Sequence, residues 1–138
     1  MQQKFEQLIT EAIAVREKAY APYSSYKVGA ALLSKNGKIY TGCNVENASY
    51  GATNCAERTA FFKAVSEGET EFEAVAIVGG KQEETAYAFP CGICRQVMTE
   101  FCNPKEFQII VAKSVDEYRE FTLEELLPLG FGAGNLKL

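Results

Sequence analysis

Ala74-Val75-Ala76-Ile77-Val78 is a run of five apolar residues with no polar alternate. A strand that reads apolar on both faces is a strand covered on both faces, which places it in the middle of a sheet with helices on either side. Working outward, a helical pattern from Cys55 to about Glu67 precedes it and ends at Gly68, a residue suited to the left-handed turn after a helix. A charged loop, Lys81 to Thr85, follows it, then a helix from Cys91 to about Phe101 and a strand from Phe107 to Ala112. Upstream, Lys27–Ser34 and Lys38–Cys43 flank Asn36-Gly37, the signature of a tight hairpin. At the N-terminal end Phe5, Leu8, Ile9, Ala12 and Ile13 recur at helical spacing over Gln3–Ala19. Near the C-terminal end, after a short strand, Thr122-Leu123-Glu124-Glu125 has the form of a capping box that opens a short helix closed by Pro128. A hairpin followed by two βαβ crossovers predicts an α/β fold: a three-layer α/β/α sandwich around a mixed five-stranded sheet. The 138 residues form a single domain, 1–138, with no linker or internal repeat.

Charge and composition narrow the function. The net charge is −4 and no run of Lys or Arg occurs, whereas nucleic-acid binding rests on basic patches that meet phosphates. A small neutral substrate fits better than a polynucleotide. The N-terminal residues Met1–Glu6 lack the apolar region of a signal peptide, and no stretch approaches the roughly 18 apolar residues of a membrane span. A cytoplasmic protein with no membrane association is expected. It has five cysteines and no histidine. An odd cysteine count in a reducing compartment points to metal binding or catalysis rather than disulfides.

Three of the cysteines lie in two phrases, Cys55-Ala56-Glu57-Arg58 and Pro90-Cys91-Gly92-Ile93-Cys94. Each phrase opens a helix, where free N–H groups and the helix dipole favour the thiolate, the form that binds metal. Two such helix starts facing each other bring three sulfurs around one tetrahedral ion, and soft sulfur donors select Zn2+. Three protein ligands leave a position open for water, the mark of a catalytic rather than a structural site. Glu57, two residues past the first ligand, is placed to carry a proton rather than to ligate. Arg58, one turn past Cys55, is placed to draw charge from the ligand sulfurs. A redox pair at Cys91 and Cys94 is the competing reading, but it needs neither a third cysteine nor a neighbouring glutamate. Cys43 and Cys102 read as core residues; either one joining the cluster would close it into a structural site.

At these residues the chain resembles the cytidine deaminases, specifically the small homotetrameric class with three cysteine ligands. The deaminase signature, ligand-x-Glu followed by Pro-Cys-x-x-Cys, continues here as Arg95-Gln96-Val97. Tyr20-Ala21-Pro22-Tyr23-Ser24, Val28–Leu32, Gly42–Asn47 and Glu124–Pro128 extend the likeness over nearly the whole chain. The resemblance implies hydrolytic deamination of cytidine and deoxycytidine with release of ammonia, with Cys55, Cys91 and Cys94 on Zn2+ and Glu57 as proton shuttle. It assigns Asn44 and Glu46 to the ribose hydroxyls, the Ala56 N–H to the pyrimidine carbonyl, and Tyr26 and Phe131 to packing on the base. It also implies a homotetramer with shared sites, Phe131 and the region of Tyr50 reaching a neighbouring subunit. Two positions depart from the class. Tyr26 stands where Phe is usual, and Phe89 stands where a small hydroxyl residue is usual. The Phe89 carbonyl can still accept a hydrogen bond from the leaving amine, while its ring reshapes the wall beside it. The rivals are deamination of a related aminonucleoside (blasticidin S or an N4-modified cytosine nucleoside) and a non-catalytic zinc-stabilised binding fold.

Overall fold

The computed structural model describes residues 2–136. Helix α1 (Gln2–Arg16) leads into strands β1 (Tyr26–Ser34) and β2 (Ile39–Cys43), then helix α2 (Ala56–Ser66), strand β3 (Phe72–Lys81) and helix α3 (Gly92–Phe101). Strands β4 (Gln108–Ser114) and β5 (Glu117–Thr122) and the single-turn helices α4 (Leu123–Leu126) and α5 (Ala133–Leu136) complete the chain. The sheet order is β2-β1-β3-β4-β5. β1 pairs antiparallel with both β2 and β3, so β2 and β3 run the same way and α2 crosses over β1 to connect them. α3 makes the second crossover, between the parallel neighbours β3 and β4. The sandwich and the mixed five-stranded sheet expected from the pattern are both present.

Period-two alternation divides the core between the two sheet faces. Leu32, Val75, Ile77, Ile109 and Val111 pack with Phe61 of α2 and Met98 of α3. Their neighbours Leu33, Ala76, Val78, Ile110 and Ala112 pack under α1 through Phe5, Leu8, Ile9 and Ala12. The continuous apolar run of β3 follows directly, because every residue from Ala74 to Val78 faces one of these two layers.

Some boundaries differ from the sequence expectation. α1 stops at Arg16 rather than Ala19, because the buried Arg16 guanidinium bonds the carbonyls of Lys27 (3.0 Å), Gly80 (2.9 Å), Gln82 (2.7 Å) and Glu84 (2.7 Å). That pins the helix end to the start of β1 and the end of β3. β3 runs five residues beyond the apolar run, counting both ends: Gly79 and Gly80 pair with Val28 and Lys27, and glycines carry no strand signal. Cys55 and Cys91 are N-caps rather than first helical residues. The capping box of Thr122 and Glu125 forms as expected, while α5 had no counterpart in the pattern.

Two glycines let helices touch the sheet. A Cβ on Gly42 would lie 2.5 Å from the Ala60 nitrogen, so β2 runs directly beneath the helix that carries Cys55 and Glu57. A Cβ on Gly29 would lie 2.1 Å from the Ala12 carbonyl oxygen and 2.8 Å from the Arg16 nitrogen. Backbone cannot yield as a side-chain tip can, so Gly29→Ala is expected to cost about 3 kcal/mol. Urea unfolding checks this, with a lower midpoint at an unchanged slope; a midpoint equal to that of the unsubstituted chain would mean that α1 rides further from β1.

Candidate active site

The site forms where α2 and α3 begin. Cys55 caps α2 with extended backbone (φ −75°, ψ 157°) and Cys91 caps α3 likewise (φ −71°, ψ 170°). Cys94 lies in the first turn of α3 and is 1% exposed. The three sulfurs all lie within 4.8 Å of one another, with Cys55 and Cys91 3.8 Å apart. A tetrahedral ion with metal–sulfur bonds of about 2.3 Å gives sulfur–sulfur edges of about 3.8 Å, so the spacing suits zinc. The donor chemistry agrees. Hydrogen bonds with Cys94 and then Arg58 lower the Cys55 thiol to about 5, while the bond to Cys55 and burial drive Cys94 upward. Three sulfurs so close become thiolates together only around a cation.

The cluster stops at three among the described residues. Burial pushes the Cys102 thiol up to about 12 and raises Cys43 as well, which keeps both protonated and poor as ligands. Arg58 donates from Nη2 to the Cys55 sulfur at 3.2 Å. Its Nε is buried with no hydrogen-bond partner among the described residues. Arg95, not singled out from sequence, donates to the Pro90 carbonyl (2.7 Å) and the Leu126 carbonyl (2.5 Å), locking the loop before Cys91 to α4.

Glu57 is 4% exposed, and burial pushes its carboxyl up to about 7. A carboxyl in that range both takes and gives protons near neutral pH. It lines a cavity of about 290 Å3 together with Cys55, Cys91, Ala56, Asn44, Tyr26 and Phe89. Val28, Thr53, Tyr87 and Ala88 complete the lining. Of these four, Val28 lay in a stretch that carried the family likeness, while Thr53, Tyr87 and Ala88 were not singled out; the one signal for Tyr87 is the alternation of aromatics in Tyr87-Ala88-Phe89 just before Pro90.

Of the remaining expected residues, Asn44 lines this cavity and Glu46, Tyr50 and Phe131 lie outside it. The Asn44 amide is largely spent on β1, its Oδ1 accepting from the Val28 N–H at 2.9 Å and its Nδ2 donating to the Tyr26 carbonyl at 2.8 Å. One N–H and one lone pair are left for a ligand. Glu46 and Tyr50 line an adjoining cavity of about 410 Å3, which shares Thr53 with the first. There Glu46 accepts from the Tyr23 N–H (3.0 Å), the Ser24 N–H (3.2 Å) and the Ser24 hydroxyl, and that hydroxyl holds its carboxyl below the usual range. Phe131 is exposed on the outer side of α3, its carbonyl accepting from Gln96 Nε2 at 2.8 Å.

The family model for the cytidine and deoxycytidylate deaminase zinc-binding region matches residues 2–111, which contain all three clustered cysteines. The cytidine deaminase of Sporosarcina psychrophila is 48% identical over 131 residues, covering 95% of this chain and 93% of the relative. That of Halalkalibacterium halodurans is 49% identical over 131 residues, covering 95% and 96%. Among solved structures, the cytidine deaminase of Burkholderia pseudomallei superposes with a TM-score of 0.81 at 49% identity, covering 91% of this chain and 97% of the other. The Mycobacterium tuberculosis enzyme gives 0.77 at 38%, covering 93% and 97%. With its cysteine cluster and buried glutamate, the chain belongs to the zinc-binding cytidine and deoxycytidylate deaminase family.

Proposed function

We propose that this chain hydrolyses cytidine and deoxycytidine to uridine and deoxyuridine, releasing ammonia. The observation that carries the reading is a buried glutamate, raised to about 7, in one small cavity with a cluster of three cysteines. Cys55, Cys91 and Cys94 hold Zn2+. When bound, the ion acts as a Lewis acid on a water, lowering its pKa toward about 7. Glu57 takes the proton from the attacking water and delivers it to ring N3. It then takes the proton of the new C4 hydroxyl and passes it to the departing amine as the C4–N bond breaks and the C4 carbonyl forms, so that water and cytidine leave as ammonia and uridine. Arg58 withdraws charge from the Cys55 sulfur and offsets the excess of three thiolates.

The other residues bind and orient. Ala56 is the first residue of α2, so its N–H has no partner within the helix and can donate to the pyrimidine carbonyl. The Phe89 carbonyl accepts from the exocyclic amine, and Tyr26 packs on the base. Asn44 and Glu46 meet the ribose hydroxyls, Glu46 across the shared Thr53 edge of the two cavities. Phe131 lines a different cavity of its own chain; as the family resemblance implies, it packs on a base held by a neighbouring subunit in a homotetramer, with Tyr50 at the same junction. The exposed Phe62, Ile93, Tyr50, Leu129 and Phe131 supply apolar surface for such an assembly. A cluster that stops at three sulfurs, with Glu57 facing the cavity, favours catalysis over a zinc site that merely staples a binding fold.

The test combines zinc content with ammonia release. One zinc per chain and stoichiometric uridine and ammonia from cytidine are expected, from a particle four times the 15.2 kDa chain mass in sedimentation. Fully zinc-loaded protein that leaves cytidine and deoxycytidine unchanged would refute the activity.

A further inference from the structure

The cavity wall Tyr87–Phe89 is held from outside by a cation. Arg119 of β5 lies across from Val111, on the sheet face that carries α2 and α3. Its guanidinium carbon sits 5.6 Å from the Tyr87 ring centre, 5.9 Å from that of Phe89 and 5.5 Å from that of Phe121. Phe89 and Phe121 also meet edge to face at 5.7 Å. Lys113 sits 4.8 Å over Tyr87 and is itself held by Glu117 at 3.8 Å. Among the described residues Arg119 forms no ion pair within 4 Å. Its close polar interactions are with these ring faces, each a favourable site for a cation. Two of the three rings belong to the segment that lines the cavity beside Cys91 and Glu57.

We propose that Arg119 is a positioning residue: it clamps the Tyr87 and Phe89 rings and thereby sets how closely the Tyr87–Phe89 backbone approaches the exocyclic nitrogen of the substrate. The inference rests on the deaminase reading for its substrate, but the clamp is a property of the chain alone. A wall held at fixed distance from that nitrogen discriminates against a substituent on it. Loosening the clamp widens the cavity at that point, while the ribose end, built on Asn44 and Glu46, stays as it is. Arg119 touches neither substrate nor the reacting atoms; it acts through Phe89 and Tyr87.

The experiment compares Arg119→Leu, which keeps bulk and loses charge, with Arg119→Lys, which keeps charge. Hydrogen exchange across Ala86–Phe89 and competition by N4-methylcytidine against cytidine are measured on zinc-loaded protein. In the leucine variant, exchange in this segment is expected to rise about three- to fivefold, the loss of one exposed cation–π anchor. The inhibition constant of N4-methylcytidine relative to the KM of cytidine should fall by a similar factor, and lysine should restore most of both. A loss of folded enzyme alone leaves the ratio of inhibition constant to KM unchanged and raises exchange throughout the chain rather than in this segment. Unchanged exchange and an unchanged ratio in the leucine variant overturn the proposal, as does a change that lysine fails to restore. If the unsubstituted chain does not act on cytidine, the deaminase reading fails, and the exchange measurement still decides whether the clamp exists.

Discussion

Glu57→Gln is expected to leave folding and zinc content intact and to reduce turnover of cytidine by at least about a thousandfold, since one residue serves proton transfers at two atoms and each such transfer is worth roughly 10²–10⁴. Glutamine matches glutamate in shape, so the packing of a side chain only 4% exposed is kept. Removing the carboxyl even relieves a burial cost, which is what pushes its pKa up to about 7. Stability should therefore hold or rise slightly. What is lost is the only buried acid among the described residues that line the cavity. Because the amide can still accept and donate hydrogen bonds, the affinity for uridine should change by no more than a few-fold, and the deficit should appear in kcat. Steady-state kinetics, zinc analysis and a uridine titration on the same preparation check the three claims. Turnover within tenfold of normal would remove Glu57 from the proton path. A parallel loss of zinc would recast it as a ligand.

The elements that hold this glutamate were legible in the sequence because they are local. A cysteine at a helix start fixes its own N-terminal environment, and the spacings Cys55-x-Glu57 and Cys91-x-x-Cys94 set which side chains converge once two such helices face each other. The apolar run Ala74–Val78 disclosed the central strand for the same reason, since burial on both faces is written into consecutive residues. The parts that were not legible depend on register. Arg119 reaches Tyr87 and Phe89 only because β5 pairs with β4 so that Arg119 sits opposite Val111, a relation across a turn that no periodicity encodes. Arg16 carries no signal of its own within the helical pattern of Gln3–Ala19, yet it is buried against four carbonyls from two distant segments. The ribose pair Asn44 and Glu46 shows the limit differently. The resemblance assigns both to one sugar, and the bonds from Asn44 to β1 and from Glu46 to Ser24 hold the two side chains at adjoining cavities.

Cys94→Ala should abolish zinc binding and activity together and lower the melting temperature by roughly 10–20 °C, equivalent to a few kcal/mol for a domain of this size. Two sulfurs, Cys55 and Cys91, would remain, too few to hold the ion against competing water. The thermal loss has two sources. A buried side chain in the core is truncated, and the binding energy that ties the starts of α2 and α3 together disappears. The second source is separable, because a chelator should bring zinc-loaded normal protein down toward the variant's melting temperature while leaving the variant itself unmoved. Unlike a zinc finger, the chain should stay folded without metal: Phe61 of α2 and Met98 of α3 are fully buried against the sheet by contacts that need no ion. Cys102→Ala is the control for truncation. Cys102 is also buried in this layer, but its thiol is raised to about 12 and lies outside the sulfur cluster. It should lose about 1 kcal/mol and keep both zinc and activity. Zinc retained by Cys94→Ala, or a chelator that lowers its melting temperature as much as that of normal protein, would show that the ion is held elsewhere. The helix starts would then be packed together by the apolar layer alone, and the raised carboxyl of Glu57 would have no activated water to serve.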